Sequence, residues 1–241
     1  MTITKLVITL DGMNPSDVRT ARLARGWSQQ QAAPRLGVSQ PYLAMLETGA
    51  RRLTPALARR VVRTYGLEPT VLPPAPPGRA PVDTEALVGD LAALGYPGFG
   101  YRRPQHWTPR NPVEVLLTAL AQEDLEARVV EALPWLLLRY GVGDPEWLVR
   151  EAKVRDLQNR LGFVVGLAHR LAERRPDAPR GTALRDLEAT LDRSRLAREN
   201  TLCRASMPDA ERAWLREHRS DEARRWNLLT DWTVDLLRYG T

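Results

Sequence analysis

The stretch from Ser28 to Gly49 constrains the fold of this chain more than any other. Ser28 and Ser39 belong to the residue types preferred at helix N-caps, and each precedes a short run with apolar residues at helical spacing. Gln31 stands three residues after Ser28, which is the spacing of a capping box. Gly37 lies between the two runs, where a tight turn needs it. The sequence therefore predicts two short helices joined by a tight turn.

Two short helices with a glycine-containing turn between them are the helix-turn-helix pattern, in which the second helix enters the major groove of DNA. Over about residues 16–67 the sequence resembles the Xre family, the phage-repressor type of this domain. The resemblance covers a little over a fifth of the chain, and the rest carries none. It implies an all-α DNA-binding domain.

Helices are also predicted on both sides of this stretch. The first begins at Asn14-Pro15-Ser16-Asp17, with Ser16 as the expected cap. Its expected inner face consists of Val18, Ala21, Leu23 and Ala24. The fourth begins at Thr54-Pro55 and ends near Gly66, with Leu57, Val61 and Tyr65 inside. Pro34 lies beyond the first turn of the second helix, where it is expected to kink or shorten it.

The resemblance implies which side chains contact DNA. They are Gln29, Ser39, Gln40, Pro41, Tyr42, Met45, Arg51 and Arg52. Gln29 matches the position that supports phosphate contact, and Arg51 and Arg52 match the loop that grips the backbone. Ser39 is also the cap of the third helix. Tyr42 either reaches the groove or fills the core.

The predicted recognition helix is poor in polar groups that read bases. Gln40 can pair with adenine through two hydrogen bonds, whereas Pro41 and Met45 offer apolar contact, for instance to a thymine methyl. We therefore expect modest direct readout, with a considerable share of the affinity from phosphate contacts or DNA shape.

Charge is distributed unevenly along the chain. Residues 1–80 hold 11 basic and 4 acidic side chains, whereas residues 81–241 hold 24 basic and 25 acidic ones. The whole positive excess therefore lies on the segment with the helix-turn-helix pattern. Such a basic domain fits phosphate neutralisation with counterion release.

Three segments are predicted: a DNA-binding domain at 1–67, a proline-rich spacer at 68–82 and an all-helical domain at 83–241. Six prolines between residues 68 and 82 favour extended polyproline II. Residues 2–10 are predicted to form a short strand or a disordered tail. Helical periodicity is continuous over 144–175 and again over 182–200, and no strand pattern appears after residue 83. Gly162 and Gly166 inside the longest helical segment suggest close approach of a neighbour.

Patterns of catalytic and metal sites are largely absent from the sequence, which predicts no enzyme, no cofactor and no metal site. There is no phosphate-cradling glycine loop, no HExxH and no GxSxG. The three histidines lie in separate segments, and Cys203 is expected to be structural. Arg212 and His218 resemble the Arg-x(4–6)-His motif of HEPN ribonucleases, but Ala213 replaces the polar residue expected after the arginine.

A loop at 95–111 concentrates aromatic and basic side chains among Gly and Pro. These are Tyr96, Phe99, Tyr101, Arg102, Arg103, His106 and Trp107. Aromatic residues with arginine can stack on a ligand. We favour the other interpretation, in which the aromatics pin the loop to the helical domain.

The sequence as a whole favours a sequence-specific transcriptional regulator, expected to be a repressor, that binds double-stranded DNA as a homodimer. The first residues lack a signal-peptide cleavage site and no apolar run is long enough for a membrane span, so a cytoplasmic location is expected. Two alternatives remain for the helical domain. It binds a partner protein, as in an antitoxin, or it senses a peptide or small ligand.

Overall fold

The computed structural model describes residues 13–78, 82–102, 108–174 and 178–239. The chain is mostly helical, as predicted. It divides into two compact units, Met1–Ala75 with His106–Asn111 and Pro76–Gln105 with Pro112–Thr241. The strand predicted over residues 2–10 lies outside the described residues. In the described part of the chain, no helix is both long and apolar enough to cross a bilayer.

The described residues of the first unit form four α-helices, α1 (Pro15–Ala24), α2 (Gln29–Leu36), α3 (Gln40–Glu47) and α4 (Pro55–Tyr65). The Ser28 cap and its box with Gln31 are confirmed, as is the Ser39 cap. Asn14 takes the place predicted for Ser16, because its side chain and that of Asp17 form a capping box. α2 continues through Pro34 to Leu36, where left-handed Gly37 ends it.

The core of this unit consists of small and branched side chains and one tyrosine, contributed by α1 to α4. They are Val18, Ala21, Ala32, Ala33, Leu36, Leu43, Val61 and Tyr65. The predicted inner face of α1 was half wrong, since Leu23 and Ala24 are exposed and Arg22 is buried. Positions 18, 21 and 22 share one face of a helix, whereas position 23 is turned away from it.

The first unit extends past residue 67. Pro69–Val71 form a 3₁₀ turn. Val71 and Leu72 are buried against Ala58 and Val62 of α4. The side-chain amide of Asn111 donates to the carbonyl of Leu72 at 2.6 Å. Residues 69–72, assigned from their prolines to the spacer, thus belong to this core.

The second unit is built mainly of helices. They are α5 (Thr84–Ala93), α6 (Pro112–Leu120), α7 (Ala127–Tyr140), α8 (Pro145–Val154), α9 (Gln158–Glu173), α10 (Ala178–Asp192), α11 (Asp209–His218) and α12 (Asp221–Arg225), with 3₁₀ turns at Pro97–Arg102 and Val234–Leu236. α9 is central and packs against α7 and α10. Its residues from Gln158 to Ala168 are all buried.

Two predictions for this unit were wrong. The helical pattern over 144–175 is broken between α8 and α9, where Asp156 has a φ of 55°. A strand pair is also present, in which β1 (Asn200–Thr201) lies parallel to β2 (Leu228–Leu229). A strand of two residues has no periodicity that a sequence could show.

A neighbouring group does approach Gly162 closely, as predicted, and this group is the ring of a single tryptophan. Trp226 is fully buried and lies against the α-carbon of Gly162. The indole N–H donates to the Glu222 carboxylate at 2.9 Å. A β-carbon at position 162 would overlap the ring, so only glycine lets the ring reach α9.

We predict that Gly162→Ala lowers the free energy of unfolding by about 1–3 kcal/mol, because the ring has to move out of a close-packed site. Gly89→Ala in α5 is the matched control. Its β-carbon meets no other atom within 4 Å, so replacement raises stability by about 0.5–1 kcal/mol through helix propensity. Urea unfolding of both variants checks this. Equal effects at the two positions would show that the Trp226 contact is unimportant.

Candidate nucleic-acid interface

The turn between α2 and α3 is held by backbone geometry and by one arginine. Gly37 has a φ of 65°, a conformation that glycine adopts without strain. Arg60 of α4 donates to the carbonyl of Leu36 at 2.8 Å, which satisfies a carbonyl at the end of α2. α3 begins directly afterwards, with the Ser39 hydroxyl accepting from the Tyr42 amide at 3.3 Å. The angle between the two helices is thus fixed from both ends of the turn.

A buried ion pair joins α3 to α1. Arg22 Nε donates to Glu47 Oε1 at 2.6 Å, and Arg22 Nη2 donates to Oε2 at 2.9 Å. The two side chains are only 7% and 2% exposed. Arg22 also donates to the carbonyl of Trp27 at 2.6 Å, which fixes the loop before α2. The pair is two-pronged, the geometry in which guanidinium and carboxylate groups bind most strongly.

Two glutamines continue this network to the surface. Gln29 Nε2 donates to Glu47 Oε2 at 2.9 Å, and Gln40 Nε2 donates to Gln29 Oε1 at 2.8 Å. Glu47 fixes the orientation of the Gln29 amide, and Gln29 in turn fixes that of Gln40. Among the described residues, the remaining N–H and the carbonyl of the Gln40 amide have no hydrogen-bond partner. Those are the two groups that an adenine edge needs.

The pKa shifts of Glu47 and Tyr65 are consistent with this hydrogen-bonded network. Burial opposes the ionisation of Glu47, but hydrogen bonds from Arg22 and Gln29 and the charge of Arg22 hold its pKa below the ordinary value. Burial raises the pKa of the neighbouring Tyr65 phenol to about 12, and the charge of Glu47 acts in the same direction. The site therefore contains an ionised carboxylate whose lone pairs are directed at named donors.

The structure places the remaining predicted residues around the start of α3 and the loop after it. Gln40 and Pro41 are exposed, while Tyr42 and Met45 are half-buried. Arg51 and Arg52 are exposed, and within the described residues neither guanidinium has a hydrogen-bond or ion-pair partner. The Arg51 amide donates to the carbonyl of Met45 at 3.1 Å, which holds the start of this loop to α3.

Several arginines of this unit stabilise the fold and are unavailable as phosphate ligands. Arg22 and Arg60 make the contacts given above, and Arg25 donates to the carbonyl of Tyr65 at 2.8 Å, at the end of α4. Amino-acid composition does not show which arginines are engaged in the fold and which are available to bind phosphate. The Arg22 pairing in particular joins residues 25 positions apart. The charge excess of the segment is therefore larger than its free positive surface.

The helix-turn-helix family model matches residues 18–72. Residues 18–72 form an Xre-type helix-turn-helix domain. The match ends at Leu72, the last residue of the α4 cluster described above. An Xre-type domain is a DNA-binding regulatory module, and less than a quarter of the chain lies within it. No curated protein and no solved structure matches the chain.

Outside the Xre-type domain, the two residues of the HEPN-like pair, Arg212 and His218, each contact neighbouring groups. Arg212 donates to the carbonyls of Met207 and Ala205, whereas the His218 ring stacks on Trp214 at 4.5 Å. Both residues therefore have local structural contacts.

In the aromatic loop, Tyr96 and Phe99 are buried and pack edge to face at 5.5 Å, as expected of side chains that pin the loop. Arg103, His106 and Trp107 lie outside the described residues, and the side chain of Arg102 is not described.

Replacing Arg22 alone with Met is expected to lower the free energy of unfolding by about 3–5 kcal/mol, since it leaves the Glu47 carboxylate buried without its partner. The double variant Arg22→Met/Glu47→Leu is expected to recover most of that loss. Because the folded-state pKa of Glu47 is lowered, its contribution is present above the ordinary carboxyl pKa and is lost as the pH falls through the folded value. The double variant should therefore lose less stability below about pH 4 than the wild type.

Urea unfolding across this pH range measures both effects. If the single and double variants were equally unstable, the two charges would not be coupled. DNA binding provides a second readout: the double variant is folded but has lost the carboxylate that orients Gln29, so its affinity should remain reduced.

Proposed function

We propose that the chain is a sequence-specific transcriptional repressor that binds a symmetric operator as a homodimer, with α3 in the major groove. The observation that carries the proposal is the orientation of Gln40 by Gln29, which leaves an adenine-reading edge on the outer face of α3. Dimerisation follows from the way helix-turn-helix proteins read two half-sites one turn apart. The second unit, with its larger core, supplies the subunit contact in this proposal.

Each predicted contact has a distinct role in the proposal. Gln40 reads adenine, Pro41 and Met45 provide apolar contact, and the half-buried Tyr42 lies at the groove edge. The N-terminus of α2 at Gln29 and that of α3, which is capped by Ser39, direct their free backbone N–H groups toward phosphates. Arg51 and Arg52 neutralise the backbone beside the groove. One polar base reader gives modest direct readout, so phosphate contacts and DNA shape supply the rest.

A ligand-sensing role of the second unit is the second candidate, and a cleft within that unit favours it over the antitoxin-like alternative. The cleft has a volume of about 970 Å³, at the upper end of the range for ligand sites. A bound ligand would then change the affinity of the dimer for its operator.

Arg51→Ala/Arg52→Ala should abolish operator binding at physiological salt. At lower salt, the slope of log K against log salt concentration should fall by about 2, since each phosphate contact contributes about 0.9 to the slope. Fluorescence anisotropy with the DNA upstream of the gene measures this, and transcription from that DNA in vitro should be relieved in parallel.

Arg193→Ala/Arg198→Ala in the second unit is the matched control. Both side chains are exposed, so the same charge is removed without touching the proposed interface. An equal loss of binding in the control would contradict the assignment of Arg51 and Arg52. The titration also gives stoichiometry: two chains per operator are expected, and one chain per operator would contradict the dimer.

A further inference from the structure

The first helix of the Xre-type domain lies beside the C-terminal end of the recognition helix. Arg22 of α1 is bound to Glu47, the last residue of α3. At the other end of α1, Pro15 lies against Gly49 in the loop after α3, where a β-carbon would be 3.4 Å from Pro15 Cγ. Positions 15 and 22 are two helical turns apart and share one face of α1. This face is therefore the one that meets the end of α3.

Arg19 lies on the same face of α1, between these two contacts. It follows Pro15 by four residues and precedes Arg22 by three, which are the spacings of neighbours on a helix surface. The residue is exposed, and within the described part of the chain its guanidinium has no hydrogen-bond or ion-pair partner. Burial opposes the ionisation of Glu47, and the charge of Arg19 is one of the interactions that lower its pKa. The Arg19 guanidinium is therefore close to the end of α3.

The positive charge of Arg19 is not cancelled by the carboxylates of this domain. Between residues 13 and 75 these are Asp17, Glu47 and Glu68. Asp17 keeps its charge, but it caps the start of α1 and, two positions before Arg19, lies on the opposite side of the helix. Glu47 is balanced by its pair with Arg22. Glu68 follows the end of α4, which contacts Arg25 at the far end of α1. Arg19 can therefore bind an anion from outside the chain.

The dimensions of α3 indicate which anion that is. The helix has eight residues, so about 12 Å separates its ends. The major groove is about 12 Å wide and is bordered by phosphates on both sides. Gln40 at the start of α3 is directed at bases in our proposal, while Arg51 and Arg52 after its end are directed at phosphates. Arg19 approaches this second end from α1.

We propose that Arg19 binds a phosphate of the DNA backbone beside the C-terminal end of α3, next to the phosphates contacted by Arg51 and Arg52. The domain then holds this side of the groove from two elements, α1 and the loop after α3. A phosphate contact carries no sequence information, so Arg19 contributes to affinity and leaves the choice of bases to Gln40. The inference rests on the proposed function, in which α3 occupies the major groove.

Arg19→Ala tests the contact through the salt dependence of binding. The full chain is titrated with the upstream duplex and with random duplex between about 50 and about 200 mM salt, and the slope of log K against log salt concentration should be smaller by about 0.9 in the variant. Over this range the wild type should lose about three- to four-fold more affinity than the variant. Both duplexes should be affected alike, because the lost contact is not to a base.

Two further variants separate the charge from the fold and from its location. Arg19→Lys keeps a positive charge at the same place and should keep the wild-type slope, since lysine also binds phosphate. Arg63→Ala removes another exposed arginine without a described partner, from the last turn of α4 at the far end of α1. It should leave the slope unchanged. All three variants should keep the wild-type unfolding midpoint, because neither arginine has a described partner to lose.

An unchanged slope in Arg19→Ala overturns the inference, as does an equal fall in Arg63→Ala or in Arg19→Lys. A changed preference between the two duplexes with an unchanged slope also overturns it, because Arg19 would then contact a base.

The same titrations distinguish this inference from the proposed function. A wild type that binds both duplexes equally contradicts the sequence-specific repressor, while the slopes on either duplex still decide the role of Arg19. A wild type with a normal preference, together with an unchanged slope in Arg19→Ala, contradicts only the Arg19 contact.

Discussion

The Glu47 carboxylate is the group on which the geometry of the Xre-type domain depends. Glu47 is the last residue of α3, and its carboxylate accepts hydrogen bonds from Arg22 of α1 and from Gln29 of α2. One buried charge therefore joins three helices. Ion pairs of this kind contribute little net stability compared with apolar side chains of the same volume. In this domain, the ion pair instead determines how neighbouring side chains are oriented. The carboxylate orients Gln29, Gln29 orients Gln40, and the outer face of α3 presents a fixed amide.

Local signals in the sequence were sufficient for the helix-turn-helix. The caps at Ser28 and Ser39, the turn at Gly37 and the apolar positions of α2 and α3 all act within four residues, and the structure has each of them. The Arg22–Glu47 pair and the Gln29–Gln40 bond connect residues 25 and 11 positions apart. Their partners depend on how the helices pack. Hydrophobicity alone favours Leu23 as the inward residue, whereas the structure buries Arg22 because its partner is Glu47.

In the second unit, more of the structure depends on contacts between residues that are far apart in the sequence. Helical periodicity predicted that this unit is mostly helical. It did not show the break between α8 and α9, where Asp156 has a left-handed backbone conformation. The two-residue strands and the Trp226 ring on Gly162 depend on contacts across dozens of residues. The cleft is lined by residues from 84 to 239, which only the folded chain brings together.

The two units differ in how they use arginine. In the Xre-type domain, Arg22, Arg25 and Arg60 hold helix ends and loops, while Arg51 and Arg52 stay exposed beside the recognition helix. In the second unit, buried Arg160 donates to the carbonyls of Leu120, Gln122 and Thr201 and so ties the strand pair to α6. A high arginine content therefore serves structure in both units, and the arginine contacts to DNA that we propose are confined to the exposed Arg19, Arg51 and Arg52.

We propose that α3 reads sequence through the Gln40 amide, which the buried network orients. Competition of a labelled upstream duplex against random duplex, at about 0.15 M salt where non-specific contacts are weakened, tests it most directly. The wild type should prefer the upstream duplex by about 10³ or more. Gln40→Ala should lose about 1–3 kcal/mol of that preference. Equal affinity of the wild type for both duplexes would contradict this proposal.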